Sequence, residues 1–167
     1  MLYRPSMSHL GIAFLAAFLA ASPLSEFDKF PPEPGLSAQP KAPQPVTPMA
    51  RRYRTMIRGA AAEGPNFNGR YTITQWGCGT NCILWAVINN ATGEVWVSPK
   101  PVSSCWVSLA TEDEAKTPEW IVARKDSSLI YVHECVRPES GRVFDTRHVY
   151  VWKGSAPQWL RDDRLEP

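Results

Sequence analysis

The sequence predicts a mainly β fold: a small antiparallel sheet or sandwich of about six to eight short strands, disulfide-stapled, with one amphipathic helix at its N-terminal end. Three observations predict it. Short alternating or continuous apolar runs recur after position 70, separated by clusters of Gly, Asn, Asp and Ser. All four cysteines lie in that same part of the chain. Apolar spacing of three and four residues, the mark of a helix face, appears just before the first strand.

The chain begins with an apolar run, Leu10 to Ala21, that has the length of a signal-peptide core. It is shorter than the roughly 20 apolar residues of a membrane span. Residues 1–22 therefore read as a cleaved signal peptide, with an uncleaved anchor as the alternative, and the mature protein is expected in the periplasm or outside the cell. The membrane is then a partner only during export. Residues 23–48 carry eight prolines, from Pro23 to Pro48, which interrupt any hydrogen-bond ladder and predict a semi-extended linker. Residues 49–167 form one domain. It keeps a net charge of about +2, too little to imply a nucleic-acid partner.

The domain opens with a helix. Thr47 is placed to cap it and Pro48 suits its first turn. Met49, Tyr53, Met56, Ile57 and Ala60 gather on one face, Arg51, Arg54 and Arg58 on the other, and Gly64-Pro65 ends it. Arg70 to Trp76 alternates, with Tyr71 and Ile73 on one face and Thr72 and Thr74 on the other, which predicts a half-exposed strand. Ile83 to Ile88 is continuously apolar and reads as a strand buried on both faces. Asn89 to Gly93 supplies a turn, so this strand and residues 94–97 form a hairpin. Further strands are expected at 104–109, 120–124, 128–135 and 148–152, with a short last one at 157–160. Lys125-Asp126-Ser127 reads as a second hairpin turn. Glu112 to Glu114 and the tail Asp162-Asp163 read as solvated loops.

The stretch Trp76-Gly-Cys-Gly-Thr-Asn-Cys82 allows three kinds of chemistry. Cys78 and Cys82, completed by Cys105, Cys135 or His133, have a spacing compatible with zinc. An oxidising compartment favours disulfides instead. Of the three possible connectivities, Cys78 with Cys82 and Cys105 with Cys135 is preferred, because Gly77 and Gly79 relax a local turn and the other two cysteines project from apolar strand faces. No metal and no cofactor is expected. A catalytic alternative is a hydrolase using His133 with a carboxylate or a cysteine, but an even cysteine count leaves no spare thiol. Glu134 is expected on the opposite side of its strand from His133, paired with Arg137 or Arg124.

Residues 64–82, GPNFNGRYTITQWGCGTNC, followed by an apolar strand and ATGEVW, resemble a family of small exported proteins of Gram-negative bacteria with the pattern GPNFxGxYTxxxWGCGTxC. SSLIYVHEC and HVYVWKG resemble that family's closing strands. The resemblance implies export and a β-rich domain and transfers no catalytic residue. It points to Gly79, Thr80 and Asn81 in the stapled loop, with Asn66, Asn68, Arg70 and Trp76 before it, as a ligand-binding site. The expected ligand is a small envelope molecule or a protein partner, and Asn81→Ala with Arg70→Ala is expected to weaken binding at nearly unchanged melting temperature.

Overall fold

The computed structural model describes residues 25–103, 120–136 and 144–165. Within them the fold is mainly β, in two antiparallel four-stranded sheets. Sheet I contains β1 (Tyr71–Gly79), β2 (Cys82–Asn89), β3 (Val95–Val97) and β4 (Val102–Ser103); β2 lies between β1 on one side and β3 and β4 on the other. Sheet II runs in the order β5 (Ile121–Ala123), β6 (Leu129–Val136), β7 (Phe144–Lys153), β8 (Ala156–Leu165).

The expected helix is present in two pieces, α1 (Pro48–Arg52) and α2 (Arg54–Glu63), separated at Tyr53. Thr47 caps it as expected, its hydroxyl accepting from the Ala50 amide at 3.1 Å. Gly64, at φ 88°, ends it. The buried face differs from the predicted one: Ala50 and Ile57 are buried, with Tyr53, Ala60 and Ala61 beside them, whereas Met49 and Met56 are exposed. The break at Tyr53 shifts the register of the stripe, and brings the Tyr53 ring to 5.2 Å from that of Trp76.

Strand alternation then builds the layers. On β2, Trp85 and Val87 face one way and Leu84, Ala86 and Ile88 the other, so the strand predicted to be buried on both faces is. The first set meets Ile130, Val132 and Trp152 of sheet II in the sandwich core, with Phe67 and Tyr71. The second set meets the helices. Those helices also cover the face of β1 expected to be exposed: Thr72 is 1% exposed and satisfies its hydroxyl by donating to Gly64 O at 2.8 Å and accepting from Asn90 Nδ2 at 2.8 Å.

Two hairpin turns fall where the sequence places them, at 89–93 and at 125–127. A third joins β1 to β2 at the stapled loop. Gly79 pairs with Cys82, Thr80 and Asn81 form the tip, and Cys78 is the extra residue of a bulge. Asn81 takes φ 53°, a conformation Asn tolerates better than most residues. Cys78 and Cys82 are disulfide-bonded with their Cα atoms 5.1 Å apart, which removes the zinc set built on these thiols. Cys135 is not a free thiol, and Cys105 lies outside the described residues, as does the strand expected at 104–109. Replacing both Cys78 and Cys82 by serine is expected to cost about 2 kcal/mol, the chain-entropy value for so short a loop, read as the shift of the urea midpoint.

The last strand is far longer than expected. β8 pairs with β7 from Ala156 to Leu165, so Asp162 and Asp163 belong to a strand rather than a loop. Its charges are matched across the ladder: Arg147 to Asp163 at 2.8 Å, His148 to Asp162 at 2.7 Å, and Arg164 over the Phe144 ring at 4.3 Å. Among the described residues β8 is an edge of sheet II, and it carries the charged residues that suit an edge strand.

The proline-rich segment is not detached. Residues 25–46 form a strap laid along the domain. Phe27 and Phe30 pack on Leu129, Tyr131 and Val149 on the outer face of sheet II. The Lys41 amide donates to Asn90 O at 2.8 Å, and the Gln44 amide to Gly93 O at 2.7 Å. Prolines exclude a regular ladder, as expected, yet leave enough amides for these anchor points.

Candidate functional site

The residues singled out by the sequence separate into two places. Tyr71 opens β1 and Gly79 ends it, so the groups before the strand and the stapled tip lie roughly 25 Å apart at ordinary strand rise. Gly79, Thr80 and Asn81 are exposed at the hairpin tip. Trp76 is 6% exposed and packs on the helix side, and Trp85 belongs to the sandwich core. Neither borders an open site with the tip.

Asn68 to Tyr71 form a socket, and its occupant is Glu33 of the same chain. The Glu33 amide donates to Asn68 Oδ1 at 2.7 Å. Its carboxylate pairs with Arg70 and accepts from the Tyr71 hydroxyl at 3.1 Å. Gly69 lies between, at φ 74°, and a Cβ there would sit 2.2 Å from Glu33 O. Asn68, fully buried at φ 42°, also donates its amide to Arg124 O at 3.2 Å, and Gly69 donates to Lys125 O at 2.8 Å. The same turn thus joins strap, sheet I and sheet II. Arg70 is a partner of the strap, so Arg70→Ala is expected to lower stability as well as to alter this surface.

Asn66 has a different task. Its side chain accepts from the Ile73 amide at 2.8 Å and donates to Ile73 O at 3.0 Å, which among the described residues pairs the edge of β1 as a neighbouring strand would. Gln75 Oε1 likewise accepts from the Ile121 amide on the edge of β5, at 3.0 Å. Beside Asn66, the strap, the turn before β1 and the turn after β5 border a shallow, open depression of about 640 Å³ lined by Pro32, Glu33, Asn66, Gly69, Arg124 and Lys125, among others. A recess of about 230 Å³, bordered by Gln75 and Ile121, continues it past Asn66 and Ala123.

The histidines exchange roles relative to expectation. His133 points to the outer face of sheet II. Among the described residues its ring has no carboxylate hydrogen-bond partner, and burial, with Arg147 beside it, holds its pKa below the ordinary value. His148, on the inner face, lies between two carboxylates: Nδ1 is 2.7 Å from Asp162 Oδ1 and Nε2 is 2.9 Å from Glu134 Oε2. Glu134 is on the side of β6 predicted for it, but it pairs with His148 and with the Ser103 amide rather than with Arg124, whose guanidinium holds Asp126 and Asp28; Arg137 lies outside the described residues. Trp159 Nε1 donates to Asp162 at 2.8 Å, and these hydrogen bonds keep the Asp162 carboxyl below its usual range. Both ring nitrogens of His148 therefore lie within hydrogen-bond distance of a carboxylate. Among the described residues no three acidic, histidine or cysteine side chains converge on a metal position. The signal for this cluster was present in the period-two spacing of β6 and β7, but it required the register of β8.

The strap has its own titrating anchor. Tyr131 donates to Glu26 at 2.8 Å, and Arg161 pairs with the same carboxylate at 2.7 Å. Burial, then Glu26, push the Tyr131 hydroxyl up to about 12, while the Arg161 hydrogen bond holds the Glu26 carboxyl below its ordinary value. A raised tyrosine pKa contributes stability that is present below its ordinary value of 10.0 and lost as pH rises toward about 12. A depressed carboxyl contributes stability present above 4.5 and lost as pH falls through its folded value. Denaturation midpoints are therefore expected to fall at both ends, and Tyr131→Phe to flatten the alkaline limb specifically.

No helix among the described residues is long and apolar enough to cross a membrane. Comparison with protein-family models, with curated proteins and with solved structures finds no match to this chain.

Proposed function

We propose that the protein is an exported, non-catalytic binding module of the bacterial cell envelope, and that its site is the depression beside Asn66. The observation that carries this reading is a shallow, open depression of about 640 Å³, where the strap, the turn before β1 and the end of β5 with its following turn leave charged groups of both signs at the surface. Its open shape and the charges of both signs around it suit a ligand or short chain segment laid along the surface. The N-terminal apolar run and the resemblance to exported Gram-negative proteins support the location, and the Cys78–Cys82 disulfide is compatible with it. Asn66 borders this site; Asn68 and Arg70 build its wall by fixing Glu33.

The test uses the full chain expressed with its own N-terminus in a Gram-negative host. The mature protein should appear in the periplasmic fraction and co-sediment with washed cell envelopes. Lys125→Glu, which reverses a charge on the rim of the depression, should reduce co-sedimentation several-fold without changing the melting temperature. Retention in the cytoplasm, or equal sedimentation of wild type and variant, refutes the reading.

A further inference from the structure

The strap is held by two clamps of the same composition. Glu26 is gripped by Tyr131 and Arg161, and Glu33 by Tyr71 and Arg70. Each is one tyrosine hydroxyl and one guanidinium on one carboxylate, the strong form of polar recognition. Between the clamps, Phe27 and Phe30 lie on the apolar outer face of sheet II, with the Phe27 and Tyr131 ring centroids 4.7 Å apart. Ser127 Oγ lies 2.9 Å from the carbonyls of both Phe27 and Phe30, its single proton shared between them, and the Ser128 amide also donates to Phe30 O at 3.0 Å. Pro31, Pro32 and Pro34 have no amide hydrogen, so Glu33 offers the one backbone donor of that stretch, and Asn68 accepts it. Two acids, two aromatics and the backbone between them are thus each read by a separate group of the sheets.

Such a surface reads an extended peptide by its side chains and carbonyls, whichever chain supplies them. We propose that this face is a recognition surface for an extended acidic-aromatic segment of a partner protein, of the form Glu-Phe-x-x-Phe-Pro-Pro-Glu-Pro, and that the strap is its tethered, exchangeable occupant. The tether presents the strap at an effective concentration in the millimolar range, so a free segment competes only when the strap is weakened or the segment is abundant. Displacement uncovers Leu129, Tyr131 and Val149 for the incoming aromatics. The strap's Pro32 and Glu33 also border the depression described above, but a failed envelope sedimentation leaves this inference standing.

The test is fluorescence anisotropy of a labelled peptide with the sequence of residues 25–36, added to the full chain. A variant with a weakened strap, Glu26→Ala with Phe30→Ala and Glu33→Ala, should bind the peptide at least tenfold more tightly than wild type. Adding Arg70→Ala and Arg161→Ala should remove that gain, and a peptide with both glutamates changed to glutamine should bind at least tenfold more weakly. A folded strap variant, judged by the near-ultraviolet circular dichroism of its tryptophans, that binds no better than wild type overturns the proposal. Should that variant not fold, wild type titrated with peptide to tens of millimolar decides: the Glu33 amide resonance must shift, and a resonance unmoved throughout overturns the proposal. Strap exchange confined to two copies of this chain, seen as a dimer of the variant with wild type, would overturn the assignment to a partner protein.

Discussion

Replacing Trp152 with alanine is expected to lower stability by about 3–5 kcal/mol, the usual cost of emptying a large aromatic site in a core. Trp152 is 4% exposed at the meeting point of the layers. Its ring lies 5.4 Å from Tyr71, 6.2 Å from Phe67 and 6.1 Å from Trp96, so three elements lose packing at once. Its indole N–H also donates to Gly154 O at 3.2 Å, a carbonyl 2.9 Å from the Tyr71 hydroxyl, whose single proton is shared between it and the Glu33 carboxylate. That shared acceptor couples the core aromatic to the Glu33 socket. Trp152→Ala should therefore loosen the strap as well as the sandwich, seen as a lower urea midpoint together with faster proteolysis before residue 47. A variant that loses less than about 1 kcal/mol would mean the sheets do not pack through this residue.

Gly69→Val is expected to have the second large effect. The backbone conformation at φ 74° strains any β-branched residue, at about 1–3 kcal/mol. The Cβ would also sit 2.2 Å from Glu33 O, backbone that cannot swing aside as a side chain can. Strap and turn cannot both keep their places, so the variant should lose stability and release residues 25–46. Gly59 is the contrasting case. It lies exposed in α2 with nothing within 4 Å of a built Cβ, and Gly59→Ala should raise stability by up to about 1 kcal/mol through helix propensity. Thermal melts of the two variants should move in opposite directions.

The parts of the fold that were legible in the sequence are those fixed by neighbours along the chain. The run from Ile83 to Ile88 announces a strand buried on both faces, and the turns at 89–93 and 125–127 follow from local Asn, Gly, Asp and Ser chemistry. Cys78 and Cys82 are close enough in sequence for their pairing to be argued locally. Features set by distant partners were not legible. The second half of β8, beyond the short strand expected at 157–160, reads as a loop because its charges hide its period, and the side chains that pair with them stand on β7. Thr72 looks exposed until helix α2 is placed over it. The strap has no period at all, and the socket that holds it lies about 35 residues downstream, so nothing in the motif itself says that its ligand is Glu33. Gly69 carried a hint, since an Asn-Gly pair before a strand marks a backbone position with positive φ. What approaches that backbone closely is a tertiary fact. The candidate site was legible in part: Asn66, Asn68 and Arg70 do converge near the depression, whereas Gly79, Thr80 and Asn81 stand at the far end of their strand.

The central claim is that the GPNFNGRY motif holds the proline-rich strap on the folded domain, and one amide proton reports it. Hydrogen exchange of the Glu33 backbone amide, followed by NMR at neutral pH, reads the hydrogen bond to Asn68 Oδ1 directly. Exchange slowed on the order of a hundredfold or more relative to an unstructured chain is expected, with the protection lost in Asn68→Ala. Exchange at the unstructured rate, in a protein whose β1 and β2 amides remain protected, would contradict the claim and return residues 25–46 to the status of a free linker.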